Sequence, residues 1–217
     1  MGMAETETQE MNLVFVHGIA DGIEKGWERN WFAMVRPHLR REIESINFFG
    51  ISWEQIHESR YDPTQSSRRN LLQDLGALTN PEVHLHIEAR LKSIEDSIEA
   101  TWIIAHSLGT ALTYQALESL RIQKSPLKIA KFVTVGSPLW IPYSWITRKL
   151  AALNILMPRA KPLLNVRGWW NLAGRYDPIA GFGLRGLPTA LNKRCWSRHP
   201  FEHYAKTKEF RKILEMP

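Results

Sequence analysis

Residues 101–109 read Thr-Trp-Ile-Ile-Ala-His-Ser-Leu-Gly, and this stretch decides the fold of the chain. Residues 101–105 are apolar or β-branched, which is typical of a strand buried in a parallel sheet. A helical pattern follows through about Leu120. The sequence therefore predicts a strand, a sharp turn and a helix, with Ser107 at the turn.

A serine at such a turn can present its hydroxyl as a nucleophile. Ala105 and Gly109 are the small residues two positions before and after Ser107, and they allow the strand and the helix to approach closely. The start of the helix supplies backbone N–H groups and the positive end of its dipole. The alternative interpretation is that Ser107 only caps the helix.

Alternating strand and helix patterns extend from this centre to both ends. Further strands are predicted at residues 12–16, 46–53, 131–135 and, from a weaker pattern, 164–172. Helices are predicted at 27–43, which contains Pro37, at 66–99 with a break near Asn80-Pro81, and at 203–215. The alternation indicates an α/β fold with a mainly parallel β-sheet and helices on both faces. We expect a flexible tail at residues 1–10 and a single domain at 11–217.

The composition limits the class of protein and the compartment in which it is expected. The chain has 217 residues, of which 44% are hydrophobic and 23% charged, as in ordinary globular proteins. No uninterrupted apolar run reaches 18 residues, and the acidic first ten residues do not resemble a secretory signal. Cys195 is the only cysteine, so no internal disulfide is expected and a reducing compartment fits. These features predict a cytoplasmic protein.

Several motifs lie in an order that resembles the α/β-hydrolase superfamily, especially its lipase and esterase branches. The matching pieces are Val16-His17-Gly18-Ile19, Ala105-His106-Ser107-Leu108-Gly109, Gly136-Ser137-Pro138-Leu139, Trp170-Asn171-Leu172 with Asp177-Pro178, and a late histidine. The Ala-His-Ser-x-Gly variant is similar to that of some small bacterial lipases. The resemblance implies a compact α/β-hydrolase fold and a Ser-His-Asp triad.

The resemblance also implies an oxyanion hole made of two backbone amides. One donor is the amide of Leu108, the residue after the nucleophile, and the other is the amide of Ile19 or of Gly18. The alternative is that His17-Gly18 is only a turn that ends a strand.

Asp177 is the candidate acid of the triad. In the family the acid follows the serine in the chain, and Asp177 is the only carboxylate between residues 119 and 201. It also precedes Pro178, so it can act as a turn initiator, and the two roles are compatible.

Two histidines, His199 and His203, follow Asp177 and are candidates for the base. Family members often carry the histidine in a loop a few residues ahead of a tyrosine, and His199 with Tyr204 matches this arrangement better. His203 remains the alternative. His106, inside the turn, is expected to pack or hydrogen-bond beside the site.

Charge is distributed unevenly along the chain. Residues 1–118 contain 10 Lys and Arg against 18 carboxylates, whereas residues 119–201 contain 14 Lys and Arg against one carboxylate. The basic part includes an aromatic and apolar segment, residues 139–163, that is a candidate lid. These features suggest peripheral contact with an anionic membrane surface. The alternatives are a solvated basic face and an ordinary core helix.

The leading prediction is a serine hydrolase that cleaves a small-molecule or lipid carboxylic ester through an acyl-enzyme. The alternative is a non-catalytic hydrolase-fold protein that binds a ligand or a partner in the corresponding pocket. No nucleic acid is expected, because no recognisable nucleic-acid module accompanies the basic residues. No cofactor is expected, and the sequence has no phosphate-cradling glycine loop. No metal is expected, since His84 and His86 lack a third ligand nearby in the sequence.

Overall fold

A computed structural model describes residues 9–18, 26–39, 43–53, 56, 75–94, 100–139, 162–180 and 190–216. Its strands are β1 (Gln9–Val16), β2 (Ile43–Ile51), β3 (Ala100–His106), β4 (Lys131–Val135), β5 (Trp169–Gly174) and β6 (Ala190–Cys195). Its α-helices are α1 (Trp27–Val35), α2 (Pro81–Lys92), α3 (Leu108–Ile122), α4 (Phe201–Ala205) and α5 (Lys208–Glu215). Short 3₁₀ helices cover Arg36–His38 and Leu75–Thr79.

The strands of the described residues form one sheet in the order β2-β1-β3-β4-β5-β6, and every pair is parallel. After β1 the chain forms β2, which lies on one side of β1. It then crosses to the other side of β1, where β3 to β6 follow one another in order. The boundary between β1 and β3 is therefore the topological switch point, where the carboxyl ends of an open α/β sheet form a crevice. Val16 pairs with Ala105 at this boundary, which brings Gly18 and Ser107 to the crevice.

Two hydrophobic cores cover the two faces of the sheet, because successive residues of a strand point to opposite faces. Val14 packs with α2 and α3 on one face, and Phe15 packs with α1, α4 and α5 on the other. Residues 101–106 of β3 are all buried, as expected for a central strand covered on both sides. The α/β architecture with helices on both faces is confirmed.

Several element boundaries differ from the sequence predictions. β1 begins at Gln9, so the last two residues of the predicted tail belong to the sheet, while residues 1–8 lie outside the described part. The helix predicted at 27–43 ends at Val35, where Pro37 enters a 3₁₀ turn. The helix α2 begins at Pro81 as the Asn80-Pro81 signal indicates, and the Asn80 side chain accepts a hydrogen bond from the Glu82 amide at 3.0 Å.

The structure differs from the sequence predictions at three places near the carboxyl end. The strand predicted at 164–172 lies at Trp169–Gly174, because the chain turns at residues 164–165 and makes only one isolated bridge, Ile129 to Val166, before β5. The edge strand β6 was not predicted. The single helix predicted at 203–215 is two helices that are separated at Thr207, whose hydroxyl accepts from the Phe210 amide and so starts α5.

Candidate functional site

Ser107 stands at the sharp turn between β3 and α3. Its backbone has φ 50° and ψ −128°, and a positive φ is uncommon for a residue with a side chain. The Ser107 amide continues the sheet pairing by donating to the Val135 carbonyl at 2.9 Å. Its side chain makes no capping hydrogen bond to α3, so the interpretation of Ser107 as a simple helix cap does not explain the geometry.

Glycines at two positions allow the backbone around Ser107 to pack closely. A methyl group on Gly109 would lie 2.2 Å from the carbonyl oxygen of His17, and one on Gly18 would lie 2.4 Å from Cβ of Ser107. Both distances are far below van der Waals contact. The loop after β1 and the first turn of α3 can therefore meet only because neither position carries a side chain.

Asp177 lies in the loop after β5, with its side chain fully buried. Its Oδ1 accepts hydrogen bonds from the amides of Ile179 at 2.8 Å and Ala180 at 3.1 Å, and its Oδ2 accepts from the hydroxyl of Tyr204. Burial by itself raises the pKa of this carboxyl. Hydrogen bonding and charge from His199, with the bonds from Tyr204 and Ala180, outweigh burial and hold the pKa of Asp177 below its ordinary value.

His199 bridges the serine and the aspartate. Its Nδ1 lies 2.9 Å from Oδ2 of Asp177, and its Nε2 lies 2.8 Å from Oγ of Ser107. An ionised carboxylate only accepts hydrogen bonds, so the proton of a neutral ring is on Nδ1. Nε2 is then free to accept the serine proton, which is the tautomer that a general base requires.

The structure distinguishes between the two histidines that the sequence left open. His199 lies in the loop ahead of α4, and its side chain is 27% exposed. His203 lies on α4 with an exposed side chain, while Tyr204 beside it is buried and reaches Asp177. The geometry therefore brings His199, and not His203, to the serine and the aspartate.

The predicted oxyanion donors are only partly described. Leu108 occupies the first position of α3, where helix amides have no partner inside the helix. Gly18 lies against Ser107, while Ile19 is outside the described residues. The neighbouring His17 ring stacks on Trp53 with centroids 5.4 Å apart, and the Trp53 indole N–H donates to the His17 carbonyl at 3.1 Å. These contacts fix the backbone that leads into the loop.

Tyr204 also belongs to this site, and the sequence did not predict its contact with Asp177. Its hydroxyl donates to Asp177 and accepts from the Gly174 amide at 2.8 Å, and burial, followed by the charge of Asp177, raises the pKa of this hydroxyl. In the sequence, Tyr204 only favours His199 over His203 as the base. Its spacing to that histidine was the available signal, but the contact with a carboxylate 27 residues earlier depends on the tertiary fold.

The candidate lid, residues 139–163, lies almost wholly outside the described part, which includes only Leu139 and residues 162–163 of it. Within the described residues, no three His, Cys, Asp or Glu side chains are grouped so that they could hold a metal ion. No helix among the same residues has the length and apolar character needed to cross a membrane.

Comparisons with known proteins add one finding about the fold. The sequence matches no protein-family model, and no curated protein sequence is significantly similar to it. Among solved structures, an esterase from the archaeon Pyrobaculum calidifontis is similar at a TM-score of 0.55 and 12% identity, over 96% of this chain and 73% of that one.

Two further solved structures show the same likeness. A thermostable carboxylesterase cloned from a metagenomic library, EstE1, is similar at a TM-score of 0.56 and 13% identity, over 96% of this chain and 78% of that one. Esterase PE8 has a TM-score of 0.52 and 12% identity, over 94% of this chain and 89% of that one. At such identities the likeness concerns the fold, which is that of the α/β-hydrolases.

Proposed function

We propose that this chain, which has the α/β-hydrolase fold, is a serine hydrolase that cleaves carboxylic esters with Ser107, His199 and Asp177. One observation carries the proposal. The His199 ring is hydrogen-bonded at both nitrogens, to Oγ of Ser107 at 2.8 Å and to the buried Asp177 carboxylate at 2.9 Å. A nucleophile, a base and an orienting acid in this relation are the parts that acyl transfer needs.

In the proposed first half-reaction, Oγ of Ser107 attacks the ester carbonyl carbon while His199 Nε2 takes the hydroxyl proton. The carbonyl oxygen becomes an oxyanion beside the Leu108 amide, and a second amide comes from the Gly18–Ile19 loop. Collapse of this intermediate breaks the bond to the alcohol oxygen, which leaves with the proton from His199. The acyl group stays on Ser107.

In the second half-reaction, a water molecule gives its proton to His199 Nε2 and attacks the acyl carbon. The same amides hold the new oxyanion, and the bond to Oγ of Ser107 breaks as His199 returns its proton. Asp177 remains ionised throughout, because its lowered pKa keeps it a carboxylate, and it stabilises the imidazolium that forms twice in each cycle.

The similar solved structures favour an ester as the substrate. Solved structures with this fold include an esterase and a carboxylesterase, at 12% and 13% identity. The fold alone hosts many reactions, so the acyl and alcohol parts of a small-molecule or lipid ester must be found by measuring rates on a panel of chain lengths.

Hydrolysis of p-nitrophenyl acetate and butyrate tests the proposal. We expect Ser107→Ala to lower kcat/KM by more than ~1,000-fold, as the loss of a nucleophile does in serine hydrolases. Ser93→Ala removes an exposed hydroxyl at the end of α2 and is the matched control, with unchanged rates.

His199→Gln is expected to resemble Ser107→Ala, whereas His203→Gln is expected to resemble the wild type. Equal rates for Ser107→Ala and wild type would exclude the triad mechanism.

The alternative function is a non-catalytic protein that binds a ligand or a partner in the hydrolase crevice. A fluorophosphonate probe separates the two functions, because it reacts with an activated serine and not with an ordinary one. Peptide mass spectrometry of the labelled protein is expected to find the phosphonyl group on Ser107. An unlabelled Ser107 in folded protein would favour the binding function.

We also propose that the protein acts in the cytoplasm. The free thiol of Cys195 is buried in the sheet, which fits a reducing compartment. Fractionation of the source cells followed by immunodetection tests this location, and recovery only from a secreted or periplasmic fraction would contradict it.

A further inference from the structure

We propose that His106, the residue directly before the nucleophile, is a positioning residue that holds the backbone of the catalytic histidine. The inference rests on the proposed function and adds a residue to it. His106 has no exposed surface, and its Nε2 lies 2.7 Å from the carbonyl oxygen of His199. The mechanism proposed above gives it no task.

The contact defines the protonation of the His106 ring. A carbonyl oxygen only accepts hydrogen bonds, so the Nε2 of His106 must carry the proton that it donates. Consecutive residues therefore hold His199 at two places. The ring of His106 binds the His199 backbone, and the hydroxyl of Ser107 binds the His199 ring.

The surroundings of His106 restrict its ring to this orientation. The ring packs edge-on against Trp31 at 5.9 Å and Phe201 at 6.0 Å, and it lies 4.9 Å from the His199 ring. Gly136, at φ 61°, lies on another side, where an added methyl group would be 3.3 Å from Nε2 of His106 and 3.0 Å from the Asp177 carboxylate. A side chain at this position would crowd both His106 and the acid of the triad, and the positive φ of Gly136 is strained for any residue other than glycine.

His199 needs such a support because it belongs to the irregular segment between β6 and α4. Its side-chain bonds to Ser107 and Asp177 hold the ring, but the serine bond is broken and remade in each catalytic cycle. The bond from His106 to the carbonyl is independent of that cycle. It therefore keeps the His199 ring at hydrogen-bonding distance from Ser107 while the proton moves.

The test compares His106→Gln with His106→Met. The glutamine and methionine side chains have equal length, but only glutamine places an N–H near the position of the histidine Nε2. Neither side chain has an atom that replaces Nδ1, so any effect of losing Nδ1 is the same in both variants. We expect His106→Met to lower kcat by about 10–100-fold, the cost of a small misplacement of a catalytic group, with little change in KM. His106→Gln is expected to recover most of the loss, and His203→Gln is the surface-histidine control.

A spectroscopic measurement separates positioning from a general loss of stability. The proton on Nδ1 of His199 that is shared with Asp177 is expected as a low-field resonance in the wild type and in His106→Gln, and to be broadened by exchange with solvent in His106→Met. Long-range proton–nitrogen spectra of the wild type are expected to show the proton of His106 on Nε2. This last measurement needs no variant, so an unprotonated Nε2 on His106 would contradict the inference even if the methionine variant does not fold.

Equal kcat values for the glutamine and methionine variants, or an unprotonated Nε2 on His106 in the wild type, would overturn the inference. Ser107→Ala assayed in parallel distinguishes failure of the positioning role from failure of the triad. If Ser107→Ala is as active as wild type, the proposed function itself fails. If only the two His106 variants behave alike, the triad stands and the positioning role fails.

Discussion

At the scale of single residues, the backbone of Ser107 stores strain. Its φ of 50° and ψ of −128° are conformations that glycine adopts freely and that cost other residues about 1–3 kcal/mol. The Val135 hydrogen bond and the tight packing of Gly18 and Gly109 hold the residue there. The strained backbone places the Ser107 hydroxyl within hydrogen-bonding distance of His199. The free energy of unfolding is lowered as a result.

We predict that Ser107→Gly is more stable than Ser107→Ala by about 1 kcal/mol, the strain relieved minus the greater entropy of glycine in the unfolded chain. Both variants lack the hydroxyl, so their difference in free energy of unfolding, from urea titration, reports the backbone alone. The pair Ser119→Gly and Ser119→Ala, inside α3, is the control and should show the opposite order by about 1 kcal/mol. A Ser107→Gly variant less stable than Ser107→Ala would refute the prediction.

The buried carboxyl of Asp177 predicts a pH dependence of stability. Its folded pKa is below its ordinary value of about 3.9, so its contribution is fully present above that value and is lost as the pH falls through the folded pKa. We expect Asp177→Asn to lower the free energy of unfolding by about 1–3 kcal/mol at neutral pH, because it removes a charged hydrogen-bond partner.

The measurement is the difference in unfolding free energy between wild type and Asp177→Asn from pH 7 to pH 3. The difference is expected to stay constant down to about pH 5 and to shrink below about pH 4. A difference that instead grows as the pH falls below about 6 would mean that burial dominates and that the folded carboxyl has a raised pKa.

At the scale of elements, a buried lysine fixes the last helix to the sheet. Lys131, at the start of β4, is 1% exposed, and its Nζ donates to the carbonyls of Ile213 and Met216 at the end of α5. The same ammonium lies 3.7 Å from the ring centroid of Trp102. A positive charge at a helix C-terminus satisfies carbonyls that have no partner within the helix.

We predict that Lys131→Met destabilises the protein by about 2–3 kcal/mol, the range for lost hydrogen bonds to a charged group. Because the lost contacts lie at α5, hydrogen exchange should show the amides of residues 208–216 losing protection first. Lys128→Met, an exposed lysine three residues earlier, is the control and is expected to change stability by less than about 0.5 kcal/mol. Uniform loss of protection over the whole sheet would contradict the local role.

How well an element could be predicted depended on how much of it is buried. β3 and β4 are buried at nearly every position, so a short apolar run identified them. β6 has four exposed residues between two buried ones, because it lies at the edge of the described sheet and its outer residues face solvent. Hydrogen bonds to β5 define this strand, and such bonds leave no hydrophobic pattern in the sequence.

At the scale of the whole molecule, the basic part of the chain contributes the loops after β5 and β6 to the carboxyl edge of the sheet. Asp177 is the only carboxylate between residues 119 and 201, and it is buried, so this part of the sequence exposes no acidic side chain. Tyr176 and Trp196, on the loops after β5 and β6, are each 65% exposed, and the Arg175 guanidinium lies 4.5 Å from the Trp196 ring centroid. We call Arg175, Tyr176 and Trp196 the aromatic–arginine patch.

We propose that this patch contacts anionic membrane surfaces, where tryptophan, tyrosine and arginine side chains are favoured. Co-sedimentation with phosphatidylglycerol vesicles is expected, with little binding to phosphatidylcholine vesicles and weakening in high salt. Arg175→Gln should weaken binding about fivefold, which corresponds to about 1 kcal/mol for one arginine near the surface. Trp196→Ala should weaken it as well.

Ile122→Ala is the matched control for the patch. Ile122 is also exposed, at 66%, but it lies at the far end of α3 from Ser107, so its removal should leave vesicle binding unchanged. Equal binding to anionic and neutral vesicles, or equal losses for Ile122→Ala and Trp196→Ala, would remove the lipid-surface proposal and favour a solvated basic face instead.

The sequence by itself determined the α/β class and singled out the serine and the aspartate of the site. Buried parallel strands need continuous apolar runs, and a serine between small residues directly after such a run is typical of a nucleophile at a strand-to-helix turn. Asp177 was identifiable because no other carboxylate lies in that long part of the chain.

Only the tertiary structure decided which histidine reaches the serine, and what supports it. His199 and His203 are four residues apart and chemically identical, and their difference arises from the direction in which α4 leaves the loop. The contacts of Tyr204 with Asp177 and of His106 with the His199 carbonyl join residues 27 and 93 positions apart. Such contacts depend on how strands pair and helices pack, and local patterns in a sequence carry no record of them.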